Sequence, residues 1–173
     1  MTGARAADGP SWDGPSLGGP SAGATPLRIL VVCTGNSARS ILGEALFRHL
    51  GSPRVEVRSA GTEPKGVNPL SLRVLEEAGV STAGLRSEAV GAYLDEPWDW
   101  VITVCDNARD TCPYVPGARA RVHWSLPDPA AVTGTEAVRL DAFRAIMGEL
   151  DTRIRRFLAE TGAVAGPDPA EVE

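Results

Sequence analysis

Three features of the amino-acid sequence predict an α/β fold built on a four-stranded parallel sheet with helices on both faces. Four short apolar runs alternate with segments of helical periodicity, an order that implies right-handed crossovers and parallel pairing. The first run, Leu27-Arg28-Ile29-Leu30-Val31-Val32, is apolar at nearly every position, as a strand buried on both faces must be. Near the end of the chain Phe143, Ile146, Met147, Leu150, Ile154, Phe157 and Leu158 recur at spacings of three and four, the stripe of a long amphipathic helix that needs a surface to pack on.

The elements follow in order. After the first strand, Ile41, Leu42, Ala45, Leu46 and Leu50 fall at helical spacing over 39–50, and Gly51 sits where a C-terminal cap belongs. Residues 54–59 alternate, with Val55 and Val57 on one face, and read as the second strand. Asn68 followed by Pro69 is an N-cap with a first-turn proline, and the helix it opens runs through Val74, Leu75 and Ala78 to Gly79. Ser87 is expected to cap a short helix ending near Leu94. Residues 98–104 and 120–124 supply the third and fourth strands.

The chain has 173 residues, with 43% hydrophobic and 23% charged, enough apolar material for one real core and too much for general disorder. Its net charge of −5 gives no sign of the basic face of a nucleic-acid binder. No apolar run approaches the roughly 20 residues of a membrane helix, and residues 1–26 lack the apolar core of a secretory signal. A cytoplasmic, reducing environment is therefore expected, along with a monomer. Residues 1–26 repeat Gly-Pro-Ser every five residues at Gly9, Gly14 and Gly19, and read as a disordered tail with Trp12 as its sole docking anchor. The folded domain is expected to span 27–160, with 161–173 as a second, flexible tail.

Cys33-Thr34-Gly35-Asn36-Ser37-Ala38-Arg39-Ser40 follows directly on the first strand. In a strand, tight loop and helix sequence the loop N–H groups point inward and the helix adds its positive end. Thr34, Gly35, Asn36, Ser37 and Ala38 would so form an anion site with no lysine. The same groups, together with Arg39, favour the thiolate of a cysteine at the mouth. Arg39 returns over the loop, and its planar fork matches a tetrahedral oxyanion bidentately. Ser40 can donate a hydrogen bond to the sulfur. The competing reading is a buried strand-end cysteine with Arg39 on a solvated helix face. The Gly-Lys-Ser/Thr pattern of nucleotide-binding loops is not matched.

Cys105 follows the third strand and opens on the same sheet edge as Cys33, with Cys112 seven residues further on. Seven residues of ideal helix span about 10.5 Å, whereas a disulfide needs Cα atoms roughly 4.4–6.8 Å apart. If these two cysteines pair, the segment between them must unwind, which would make it a local redox switch. Two small buried hydrophobes, or a metal site of Cys33, Cys105, Cys112 and His123, are the rivals. The spacing is not the short pairing typical of structural zinc. After the fourth strand, Asp128 stands between Pro127 and Pro129 in a stiff loop, and is the carboxyl best placed to protonate a leaving oxygen. His49 reads as a helix-surface residue and His123 as packed or exposed.

Together these residues resemble a known family. The loop of Cys33, Arg39 and Ser40 with the later Asp128-Pro129 is similar to the low-molecular-weight protein tyrosine phosphatase fold. Cys105 and Cys112 make the chain resemble the thioredoxin-coupled arsenate reductases built on that fold. The resemblance spans about 27–160 and includes Ser59-Ala60-Gly61, Gly66-Val67-Asn68-Pro69, Val101-Ile102-Thr103-Val104-Cys105 and Cys112-Pro113. It implies that Cys33 attacks arsenate held by the loop and Arg39, while Asp128 protonates the departing oxygen. Cys105 then attacks Cys33 and releases arsenite, and Cys112 attacks Cys105 to leave a disulfide for thioredoxin. No tightly bound cofactor is implied, but a monovalent cation such as potassium is, near Asn36, Glu44, Ser59 and Glu88. Ala130-Ala131 stands where phosphatases of this fold carry aromatic walls for a phenyl ring, which argues against phosphotyrosine. A phosphatase of the same fold is the alternative, and a non-catalytic thiol protein binding arsenite or a soft metal is the third reading.

Overall fold

The structure, a computed structural model, describes residues 25–112 and 115–163. The expectations for the N-terminal segment with Trp12, for Pro113 and for the chain beyond Ala163 lie outside these residues. Strand β1 (Leu27–Cys33) pairs in parallel with β2 (Val55–Gly61) on one side and β3 (Trp100–Thr103) on the other. Strand β4 (Ala120–His123) completes the order β2-β1-β3-β4. Ile29, Leu30, Val31 and Val32 are at most 1% exposed, so both faces of β1 are covered. The chain leaves β1 toward β2 and later returns to its other side, so the strand order reverses at β1. Ligands of open parallel sheets bind at such a reversal, beyond the carboxyl ends of the strands.

Helix α1 (Arg39–Gly51) follows β1, α2 (Pro69–Glu77) follows β2, the short α3 (Asp106–Thr111) follows β3, and α4 (Glu136–Thr161) closes the fold. Asn68 caps α2 as expected, its side chain accepting from Leu70 N at 2.8 Å. Thr135 caps α4 in the same way, and Gly162 ends that helix in the left-handed conformation, φ 77°. Phe157 on α4 meets the rings of Trp100 and Phe47 edge-on at 5.0 and 5.6 Å, so it packs α4 onto both β3 and α1.

Four expectations are corrected. Gly51 is the last residue of α1 and not a left-handed cap. Its role is close approach, since a Cβ there would fall 2.8 Å from Val55 Cγ2. Ser87 caps no helix. Residues 87–89 run extended because Gly61 N donates to Glu88 O, Glu88 N donates to Asn36 Oδ1 and Gly61 bridges Ala89, and only a 3-10 turn, Val90–Tyr93, follows. Strands β3 and β4 are shorter than 98–104 and 120–124, although Val104 N still donates to Val32 O. The core passes the expected boundary at 160, because Thr161 and Ala163 are buried.

Gly61 ends β2 opposite Cys33, and a Cβ there would lie 2.5 Å from Thr34 O and 2.9 Å from Asn36 Cβ. Only glycine lets β2 close against the loop at that distance. Gly61→Ala is expected to cost about 1–3 kcal/mol through overpacking, read as a lower urea midpoint with an unchanged slope.

Candidate active site

The loop between β1 and α1 is held by its carbonyls. Those of Cys33, Thr34, Gly35 and Ser37 accept from the N–H groups of Thr62, Glu63, Lys65 and Asn68, all in the segment after β2, and that of Ala38 accepts from Leu42 N. In a trans peptide the N–H of the next residue points opposite to the carbonyl. Tying these oxygens outward therefore turns the following N–H groups inward. One is seen to arrive: Asn36 N donates to Cys33 Sγ at 3.2 Å.

Asn36 makes this loop possible. It is wholly buried and has a φ of 47°, a conformation non-glycine residues seldom adopt. Its side chain holds it there. Nδ2 donates to Ser40 Oγ at 2.8 Å and Ser59 Oγ at 3.0 Å, and Oδ1 accepts from Glu88 N at 2.7 Å. The side chain of Asn36 is thus a brace for the loop, and its backbone N–H is what faces the sulfur. Ser40 Oγ, already accepting from Asn36, keeps its own proton for Cys33 Sγ at 2.9 Å. The expected hydrogen bond from Ser40 to the sulfur is therefore present in geometry.

Arg39 lies across the loop toward the segment after β4, where Nη1 donates to Leu126 O at 3.0 Å and Nη2 sits 3.7 Å from Asp128 Oδ2. Its Nε is buried and has no hydrogen-bond partner among the described residues. That leaves one donor of the guanidinium unpaired among the described residues. Asp128 is held by Ala130 N, which donates to its Oδ1 at 2.9 Å, and stays open to solvent at the loop mouth. Cys33, Arg39 and Ser40, from one stretch of sequence, and Asp128, from another, are thus brought together.

Cys105 joins the same site through Thr34, whose Oγ1 lies 3.3 Å from Cys105 Sγ and accepts from Asn107 Nδ2 at 2.8 Å. Cys105 is the N-cap of α3, its sulfur accepting from Ala108 N, and Cys112 is the C-cap. The intervening segment is helical, so the two thiols stand apart at opposite ends of it. All three cysteines are free and buried. Burial also pushes the Cys112 thiol above the usual cysteine range.

Several contributors escape sequence reasoning. Ser71 Oγ donates to Ser37 O at 2.9 Å, and Ser87 Oγ links Gly35 O to Gly66 N. His123 bonds Thr103 Oγ1 through Nδ1 and Asp106 Oδ1 through Nε2, each at 2.8 Å, and Ser125 Oγ donates to the same Asp106 oxygen. These bonds anchor the start of α3 to β3 and β4, and with the hydrogen bond from His123 they hold the Asp106 carboxyl below its ordinary range. Short polar residues are common in loops, and nothing in their spacing announced these partners.

The cation expected near Asn36, Glu44, Ser59 and Glu88 finds no fit. Glu44 Oε1 accepts from Ser59 Oγ at 2.6 Å and its other oxygen pairs with Arg48, while the Glu88 carboxylate is shared by Arg86 and Tyr93. Among the described residues no three His, Cys, Asp or Glu side chains cluster as metal ligands.

A strand-loop-helix anion cradle with a cysteine at its mouth and an arginine across it defines a class of cysteine-dependent oxyanion enzymes. The model of the low molecular weight phosphotyrosine protein phosphatases matches residues 28–164, and the chain belongs to that family. Within it, the chain is 38% identical over 134 residues to an arsenate reductase of Shouchella clausii, covering 78% of this chain and 96% of that one. It is 34% identical to an arsenate reductase of Bacillus subtilis over the same shares of both chains. Among solved structures, an arsenate reductase in the phosphate binding state aligns with a TM-score of 0.67 at 26% identity, over 78% of this chain and 98% of that one. A thioredoxin-dependent arsenate reductase of Corynebacterium glutamicum aligns at 0.60 and 28% identity, over 81% and 64%. An Escherichia coli K30 tyrosine phosphatase, at 24% identity and a TM-score of 0.65, shares the fold over 80% of this chain and all of that one.

Because burial disfavours its thiolate, Cys112 should react slowly while α3 is intact. In a variant with Cys33 and Cys105 replaced by serine, alkylation of Cys112 at pH 8 is expected to be several-fold slower in the folded protein than in urea. Equal rates would show that the thiol is not protected.

Proposed function

We propose that this protein reduces arsenate to arsenite through a three-cysteine relay, and that thioredoxin restores the thiols. The observation that supports the reading is the arrangement of three buried, free cysteines: Cys33 in the loop after β1, Cys105 against that loop through Thr34, and Cys112 at the far end of the short helix that Cys105 opens. A phosphatase needs only the first. The relatives named arsenate reductase, at 34–38% identity, support the same reading.

In the proposed reaction the Cys33 sulfur attacks arsenic held by the loop N–H groups and Arg39, and an oxygen leaves as water, protonated by Asp128. Cys105 then attacks the Cys33 sulfur. The sulfur–sulfur bond forms as the sulfur–arsenic bond breaks, and the bonding pair goes to arsenic, which departs as arsenite. Cys112 attacks Cys105 and frees Cys33, so the oxidised enzyme carries a disulfide between Cys105 and Cys112. Bringing those sulfurs together requires α3 to unwind, since six helical residues separate them. The dithiol of thioredoxin reduces this disulfide and supplies the electrons passed to arsenic. The low-dielectric site and the elevated Cys112 thiol keep the last nucleophile quiet until α3 opens.

Hydrolysis of phosphate monoesters is the second reading. The family match and the placement of Arg39 beside Asp128 favour it as a side activity, because phosphate and arsenate share shape and charge.

The test couples arsenate to NADPH consumption with thioredoxin and thioredoxin reductase, beside para-nitrophenyl phosphate hydrolysis. Arsenate turnover is expected in the wild type and absent in Cys105→Ser and Cys112→Ser, both of which keep aryl phosphatase activity. Cys33→Ser should lose both activities. Arg39→Lys should lower kcat/KM for either oxyanion by about 10²–10³, the usual cost of removing an oriented oxyanion donor. Brisk phosphatase activity with no arsenate-dependent NADPH consumption would overturn the reductase reading.

A further inference from the structure

Behind the cysteine loop lies a cavity of about 390 Å³ whose walls include Glu44, Arg48, Arg58, Ser59, Arg86 and Glu88. It adjoins the residues that the sequence resemblance assigns to a monovalent cation, and its chemistry is that of a site already filled by protein. Three guanidinium groups face two carboxylates, so the lining is net positive before any ion enters. Each oxygen such a cation would use is engaged. The two Glu44 oxygens go to Ser59 Oγ and Arg48, Asn36 Oδ1 accepts from Glu88 N, Ser59 Oγ accepts from Asn36 Nδ2, and the Glu88 carboxylate serves Arg86 and Tyr93. An entering ion would have to share these oxygens with the donors they already serve and meet like charge at close range in a medium less polar than water.

We propose that Arg48 takes the place of the cation, so that the loop is organised without a monovalent ion. The path from it to the sulfur is continuous, and a Ser40 proton turned to the sulfur completes it. Arg48 pairs with one oxygen of the nearly buried Glu44 carboxylate and leaves the other as an acceptor. Glu44 therefore takes the Ser59 hydroxyl proton, at 2.6 Å, and Ser59 Oγ is left to accept from Asn36 Nδ2 at 3.0 Å. The second Asn36 proton goes to Ser40 Oγ at 2.8 Å, and Ser40 turns its own proton to Cys33 Sγ at 2.9 Å. Arg48 touches neither the sulfur nor the anion cradle. It is a positioning residue, built into α1 one turn after Glu44, which supplies from the chain the positive charge that an ion would otherwise bring. The inference does not depend on which oxyanion the loop turns over.

The test is thermal melting of the full chain in potassium, sodium and choline chloride at matched ionic strength, with para-nitrophenyl phosphate kinetics alongside. The wild type is expected to melt at one temperature in all three salts and to show the same kcat and KM. Arg48→Met is expected to melt lower and to lose several-fold in kcat with KM little changed. Potassium, but not choline, should restore part of both losses as it settles on the freed Glu44. Arg48→Lys keeps the charge and should behave as the wild type, unresponsive to potassium. A potassium-specific rise in the wild-type melting temperature would overturn the proposal. So would an Arg48→Met protein that folds but gains nothing specific from potassium. If Arg48→Met does not fold, the wild type and Arg48→Lys decide the matter by the same criterion. A failed arsenate assay leaves this result untouched, since melting reads the loop and not the reduction.

Discussion

Everything at this site depends on one buried residue in an uncommon backbone conformation. Asn36 turns the loop at a φ of 47°, which costs an L-residue of its size of order 1 kcal/mol or more. Its amide side chain offsets that cost with three hydrogen bonds in an interior where leaving those groups unpaired would be worse. Once Asn36 is set, the carbonyls on either side of it reach the segment after β2, and its own N–H reaches Cys33 Sγ. Gly61 admits that approach because it has no Cβ to collide with Thr34 O. The cradle is therefore a property of two strands and their following segments, and not of the eight-residue motif alone.

The fold and the cradle were legible in the sequence for identifiable reasons. The four parallel strands announce themselves because β1 has no face left for water, and Asn68 with Pro69 marks a helix start with local chemistry alone. Cys33, Arg39 and Ser40 form a short-range pattern, and Asp128 is stiffened by flanking prolines. What was not legible is long-range. Residues 87–89 are extended because Asn36 and Gly61, distant in sequence, bind them, and this overrides the capping signal of Ser87. The bonds of Thr34 to Cys105 and of His123 to Asp106 join residues tens of positions apart or on separate elements, which periodicity does not report. The cation expectation rests on the family resemblance carried over at four positions, and such a carry-over takes no account of Arg48, whose charge meets Glu44 one helical turn away.

The proposed reduction and a phosphatase reaction would use the same loop, and the difference between them lies outside it. A phosphatase needs the Cys33 adduct to meet water. In the proposed relay, the adduct meets a second sulfur. Thr34 bridges these alternatives physically: it follows Cys33 in the loop, and its hydroxyl contacts both Cys105 and Asn107 of the α3 segment. The α3 segment is thus moored at its N-terminal end, to the anion loop through Thr34 and to β4 through Asp106 and His123. The helix holds Cys112 away from Cys105, so in the proposed relay the last exchange would have to wait for α3 to open.

The most direct test of the relay is a single turnover without any external reductant. Reduced protein is mixed with excess arsenate, quenched by acid alkylation, and its cysteine-containing peptides are mapped by mass spectrometry beside a measurement of arsenite. The account predicts one arsenite per chain and a disulfide between Cys105 and Cys112, with Cys33 free. In Cys112→Ser it predicts one arsenite and a disulfide between Cys33 and Cys105. Three alkylatable thiols and no arsenite after prolonged incubation would contradict it, and would leave the loop as a phosphatase site with two cysteines beside it.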